Sequence, residues 1–175
     1  ASVRYALGSL AKYVSEGKND SVRQMVSRAI VTSLEQEKNL DVKAFLMSRL
    51  GKAAGDEAIP AMEKYLTDPQ LCDPAAMALA EIGTPLAEKT LSAALSTSNN
   101  KVLLAVVYAL GDLQTKNDLD VLTRFVREQS GALRKVALHT LALSGSQEVK
   151  NIVLEETRRN NYAYEKNNAV ASLLE

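Results

Sequence analysis

Few residues in this chain could do acid–base, nucleophilic or metal chemistry, and their spacing keeps them apart. His139 is the one histidine and Cys72 the one cysteine among 175 residues. A histidine general base wants a carboxylate to orient it. The nearest acid is Glu148, which the pattern places on the following helix. A nucleophilic cysteine wants a lowered pKa and a histidine partner. Cys72 precedes a helix start, but His139 lies two helical units further along, and packed units advance by roughly 10 Å each. A small buried side chain is the expectation for Cys72. Carboxylates occur singly or beside Lys and Arg, as in Glu155-Glu156 before Arg158-Arg159, the pattern of a solvated helix face. Glu81 and Asp112 read as surface groups or caps rather than the facing acids of a glycosidase. A single histidine excludes a multi-histidine metal site, and a single cysteine excludes an intrachain disulfide. Gly51, Gly55, Gly83 and Gly111 are isolated and form no phosphate loop. No enzyme active site, cofactor or metal is predicted.

Composition narrows the alternatives. Lys plus Arg and Asp plus Glu are both 21, so the formal net charge is zero. A protein built mainly to coat nucleic acid needs a basic excess, so no nucleic-acid partner is expected. No apolar run approaches the roughly 20 residues that span a bilayer, so no membrane insertion is expected. At 46% hydrophobic and 24% charged, the chain is ordinary for a folded protein with a substantial core.

The elements are helices. Strand alternation is absent, and apolar residues recur at helical spacing. Val22, Met25, Val26, Ala29, Ile30 and Leu34 make one stripe, with Asp20 expected as N-cap of a helix over 20–38. Four segments repeat, and aligning Leu50, Leu79, Leu110 and Leu141 gives spacings of 29, 31 and 31 residues. Val42, Leu71, Val102 and Leu133 then share a column eight residues earlier. Gly55, Gly83 and Gly145 fall near the ends of these helices, where left-handed caps form. Gln114 stands at that point in the third unit, so a differently built end is expected there. Shorter amphipathic stretches lie between, at 57–66, 85–95, 118–127 and 147–158. Asp73-Pro74 and Thr84-Pro85 read as N-cap followed by Pro at the first helical position, and Pro60 reads as a first-turn residue.

Each unit is therefore a pair of helices that must stack to bury both apolar faces. The fold predicted is all-α, a right-handed α-solenoid of helical hairpins forming one domain over 1–175. An incomplete unit at 1–19 precedes full units near 20–56, 57–83, 84–115 and 116–145, with a C-terminal unit at 146–175. Residues 162–174 are expected to form a last helix. The opening helix reads as the second of a unit whose first is missing, with Val3, Leu7, Leu10 and Val14 uncovered on one side. A fragment of a longer protein, or end-to-end pairing of two chains, would cover them.

Val42, Lys43, Leu50, Gly51, Gly55 and Asp56 together resemble the HEAT repeat, and the period near 31 resembles its short, phycobilisome-lyase-like form. The stretches RYALGSLAKYVS, DVKAFLMSRLGKAAGDEAIPAMEKYLTD and LCDPAAMALAEIGTPLAEKTL resemble a HEAT segment of bacterial envelope proteins that carry a 3-keto-disaccharide hydrolase-type domain. That resemblance implies a periplasmic or envelope setting and an accessory role in carbohydrate processing, with catalysis in another domain. The HEAT resemblance implies that second helices line a concave, partner-binding surface.

On those second helices, the column two residues before the aligned leucine holds Ser48, Met77, Tyr108 and His139, with Tyr5 in the opening helix. It is variable and partly polar, so it is expected to face outward. Lys43, Arg134 and Lys135 stand near second-helix starts, either pairing with acids of neighbouring units or forming an anion-binding stripe. The function expected is a non-catalytic scaffold holding a protein partner or adjoining domain. Lys43, Met77, Tyr108, Arg134, Lys135 and His139 are its candidate contacts, the plainer reading being ordinary surface positions.

Overall fold

In the computed structural model, residues 2–17, 19–97 and 99–158 are described, and their regular structure is all helical. The elements run α1 (Ser2–Glu16), α2 (Asp20–Gln36), α3 (Leu40–Ala53), a 3-10 turn (Asp56–Ala58), α4 (Ile59–Leu66), α5 (Cys72–Ile82) and α6 (Pro85–Ala94). They continue as α7 (Asn100–Asp112), α8 (Leu119–Glu128), α9 (Gly131–Leu143) and α10 (Gln147–Arg158). The helix expected over 162–174 lies outside the described residues.

The helices gather into two compact units, Ala1–Ala94 and Leu95–Glu175. In the first, α3 packs on α1, α2 and α5, while α4 and α6 pack on α5 and on each other. In the second, α9 packs on α7, α8 and α10. Each is a stack of helices in chain order, the all-α solenoid class of packing.

The aligned leucines explain the stacking. Leu50, Leu79, Leu110 and Leu141 are each 0% exposed. Truncating one to alanine removes several buried methyl groups and leaves a cavity, at a cost of about 2–5 kcal/mol. Leu71, Val102 and Leu133 are buried beside them, and Val42 is half-buried. Val14 is also buried, so the uncovered side expected for α1 does not include it. The reason is its place in the last turns of α1, which pack into the first unit.

Second helices approach closely where side chains are small. A Cβ added to Gly51 of α3 would lie 3.1 Å from the Ala78 Cα of α5 and would overlap the Glu81 carboxylate. In the second unit a Cβ on Gly111 of α7 would sit 2.9 Å from the Thr140 hydroxyl of α9. That hydroxyl donates to the Val107 carbonyl at 2.9 Å, so a buried polar group finds its partner across the helix pair.

The helix ends correct several expectations. Asn19, not Asp20, caps α2, its side chain accepting from Val22 N at 3.2 Å. Asp20 falls in the first turn, where its charge suits the helix N-terminus. The helix ends at Gln36 rather than 38, because the Glu37 carboxylate accepts from the N–H groups of Lys38 and Asn39 and turns the chain. Asn39 then caps α3, accepting from Asp41 N and Val42 N. Asp73 is not a cap either. The turn at 68–71 runs straight into α5, so Asp73 lies in its first turn. Thr84 does cap α6, accepting from Ala87 N, and Pro60 sits in the first turn of α4.

Gly83 and Gly145 take left-handed φ values of 65° and 63° as expected. Gly55 does not: at φ −118° it leads into the 3-10 turn instead of closing α3 with a left-handed cap. Nor is the third end built differently, because Gln114 itself adopts a left-handed φ of 50°. Its N–H bonds the Gly111 carbonyl, and the Thr115 N–H bonds the Leu110 carbonyl at 3.2 Å, the paired bonds of a Schellman ending. An L-residue with a Cβ pays about 1–2 kcal/mol for this conformation, offset in glycine by greater chain entropy. Gln114→Gly is expected to stabilise the chain by about 1 kcal/mol and raise Tm by about 2–4 °C, read by calorimetry. Gln114→Ala, which keeps the Cβ, is expected to give no such gain.

Candidate functional site

The column expected to face outward is exposed in part only. Met77 on α5 is 40% exposed and Tyr108 on α7 is 52% exposed. Tyr5 is exposed, whereas Ser48 and His139 are half-buried. In the second unit Tyr108 and His139 stand on α7 and α9, which pack together, and Lys135 lies half-buried one turn before His139. Met77 and Lys43 belong to the first unit.

Lys43 is drawn into packing with the first helix of the following unit, and Arg134 into that of its own hairpin. The Lys43 ammonium donates to the Tyr65 hydroxyl of α4 at 3.3 Å and lies 4.8 Å from that ring's centroid. The Arg134 Nε donates at 2.9 Å to the Val126 carbonyl, in the last turn of α8. A cation against those terminal carbonyls complements the negative helix end.

Cys72 is buried, its thiol 3.8 Å from the Pro69 carbonyl. Asp112 is exposed at the end of α7. Among the described residues no group of three or more His, Cys, Asp or Glu is placed to hold a metal ion.

A site that sequence reasoning missed lies on the second-helix face of the first unit. Gly8, Lys12 and Ser15 of α1, Arg49 and Lys52 of α3, and Glu81 of α5 line a groove of about 460 Å3. Arg49 is its central cation. Its guanidinium lies 5.1 Å from the Phe45 centroid, and that of Arg4 lies 5.3 Å from the same ring. Stacking on an aromatic face holds a guanidinium in place without using its donors. The Arg49 side chain donates to the Ser48 hydroxyl at 3.0 Å. Its Nε is buried and has no acceptor among the described residues.

A signal for Arg49 was present. The column one before the aligned leucine reads Arg49, Ala78, Ala109 and Thr140. The last three are buried against neighbouring helices, and Arg49 alone is charged. Gly8 of α1 lies beside it, where an added Cβ would make ordinary contact with an Arg49 nitrogen at 3.5 Å.

Ion pairs fix the first unit's helices against one another. Arg23 of α2 donates to Glu57 in the 3-10 turn at 2.9 Å, and Lys64 of α4 meets Glu35 of α2 at 2.9 Å. Thr84 donates to Asp56. The Glu35 carboxylate, by hydrogen bond and charge, raises the Lys64 ammonium above its usual value. Hydrogen bonds from Asn39 N–H and Lys38 N–H lower the Glu37 carboxyl, with a small contribution from the Lys43 charge. Glu57 is the least exposed acid of these pairs. Burial pushes its pKa up, but the N–H groups of Gly55 and of Glu57 itself, the Ser27 hydroxyl and the Arg23 charge outweigh it and hold the carboxyl below 4.5.

The comparisons agree with this architecture. Residues 68–142 match the family model described as HEAT repeats. Over that stretch, which runs from α5 to α9, the chain is similar to HEAT repeats. A crystal structure of an engineered protein, a structural-genomics consortium target, is similar over 98% of this chain and 88% of that one. Its TM-score is 0.53 at 19% identity, a likeness of fold alone. No curated protein matches the chain.

Because the folded Glu57 pKa is lowered, its contribution is present above the unfolded carboxyl pKa and is lost as pH falls through the folded value. Glu57→Gln is expected to cost about 1–2 kcal/mol at pH 7 in urea denaturation. As pH falls through the lowered folded value and the wild-type carboxyl itself becomes protonated, the difference is expected to shrink.

Proposed function

We propose that the chain is a non-catalytic scaffold whose second-helix faces hold a protein partner or an adjoining domain. Helical repeats bind through extended surfaces built from many moderate contacts. The observation that carries the reading is the exposure of large side chains, Met77 and Tyr108, on second helices whose other faces are buried. An aromatic and a methionine held on rigid helices are favourable contact residues. Lys135 and His139 stand on α9, which packs on the α7 that carries Tyr108, while Lys43 and Arg134 bond to the neighbouring helices α4 and α8. A carbohydrate surface would want aromatic platforms over facing acids, and the sparse aromatics here favour protein.

A second reading attaches to the α1 end of the first unit. Leu7, Leu10, Met25, Ala29 and Val42 line an apolar groove of about 400 Å3. Leu10 is 41% and Met25 is 65% exposed there. End-to-end association of two copies through this groove would bury them. Light scattering is expected to show a concentration-dependent dimer that Met25→Glu converts to monomer. A monomer at every concentration removes this second reading.

The scaffold reading is tested by pull-down from envelope and cytosolic extracts. The wild-type chain is expected to retain a protein that a Met77→Glu, Tyr108→Ala double variant loses, with circular dichroism unchanged. Equal retention by the variant would move the contact off these faces.

A further inference from the structure

The groove across α1, α3 and α5 carries positive charge that the helix packing does not consume. Lys52 reaches Glu81 only at 4.0 Å, and Lys12 meets Glu16 at 3.8 Å on an exposed surface. Pairs this exposed contribute little and are readily exchanged. Arg49 differs from both. It is half-buried, stacked on Phe45, and bonded to Ser48 through one terminal nitrogen, while its buried Nε lacks an acceptor among the described residues. That buried donor is left unmet by the packing, and the guanidinium charge faces no carboxylate partner in any ion pair found among the described residues. Arg4, on the same ring, adds a second guanidinium to the local potential.

We infer that this groove binds an acidic peptide segment, one carboxylate meeting Arg49 and a neighbouring carboxylate meeting Lys12 or Lys52. The inference rests on the scaffold reading and names the chemistry of its partner. A planar guanidinium fork matches a carboxylate with two parallel donors, and stacking has already restricted its rotamers. The two lysines at the rim supply point charges for further acids.

Charge balance favours a peptide over nucleic acid. Glu81 and Glu16 stand at the rim, and the whole chain carries no net positive charge. A continuous phosphate backbone would be pressed against those acids, whereas spaced carboxylates can avoid them. Glu81 acts as an internal competitor. Laid over Gly51, it holds Lys52 until a peptide carboxylate replaces it.

The test is fluorescence anisotropy of fluorescein-labelled hexaglutamate with the full chain at low salt. Saturable binding that weakens as salt rises is expected. Arg49→Gln is expected to weaken it roughly tenfold, the scale of a charge-assisted hydrogen bond. Because Arg49 also packs on Phe45, Lys12→Glu, at an exposed position, provides a second variant and is expected to weaken binding several-fold. Glu81→Gln is expected to tighten it by freeing Lys52. Lys116→Gln, at an exposed position of the other unit, is expected to leave it unchanged. No saturable binding, equal binding of hexalysine, tighter binding of oligothymidylate, or indifference to both charge variants overturns the inference. A protein retained in the pull-down with no hexaglutamate binding sinks the groove alone. Hexaglutamate binding with nothing lost on Met77→Glu, Tyr108→Ala keeps the groove and removes those two contacts.

Discussion

The approach of neighbouring second helices is the constraint on which the rest depends. Helices joined by short connections bury their leucines only if their backbones come near enough to close the space between them. In the first unit Gly51 and Ala78 meet this requirement, and in the second Gly111 and Thr140 do. Glycine costs helix stability, about 1 kcal/mol against alanine. That cost is accepted at Gly51 because a Cβ there would press on the α5 backbone at Ala78 and open the layer around Leu50 and Leu79, and at Gly111 because a Cβ would displace the Thr140 hydroxyl. Thr140 adds a hydrogen bond to Val107 that fixes the register of α9 on α7.

Once the second helices are set, polar contacts place the shorter elements around them in the first unit. Arg23 to Glu57, Lys64 to Glu35 and Thr84 to Asp56 each join residues about a repeat apart in the chain. Such pairs stabilise weakly when exposed, but they specify which helix lies beside which. Glu57 does more, since it is partly buried and also satisfies the Gly55 N–H at the start of the 3-10 turn. One carboxylate thus holds a loop and a helix pair together.

The same packing separates structural from available charge. Lys43 and Arg134 stand at comparable sequence positions, and each is held by a neighbouring helix, Lys43 by the Tyr65 phenol of the following unit and Arg134 by the Val126 carbonyl of its own hairpin. Arg49 stands where three other units carry small residues, so the helices leave it no core position. It is held instead between Phe45 and the space beside Gly8. A scaffold surface needs such groups, rigid in place and incompletely satisfied.

The sequence by itself determined the helical class, the period, the buried leucine column and the outward column of Met77 and Tyr108. Those follow from local geometry, because helical periodicity records which face each residue must take. Left-handed ends at Gly83 and Gly145 were legible for the same reason. Tertiary structure decided what depends on residues distant in the chain. Asn19 and Asp20 are both competent caps, and it is Asn19 that holds the extended backbone a cap requires, at φ −103° and ψ 91°. Gln114 offers no glycine, yet packing on either side imposes the left-handed turn upon it. The cation groove is the clearest case. Lys12, Arg49 and Glu81 come from three helices, and no periodicity within any one helix records that stacking would place them around one cleft.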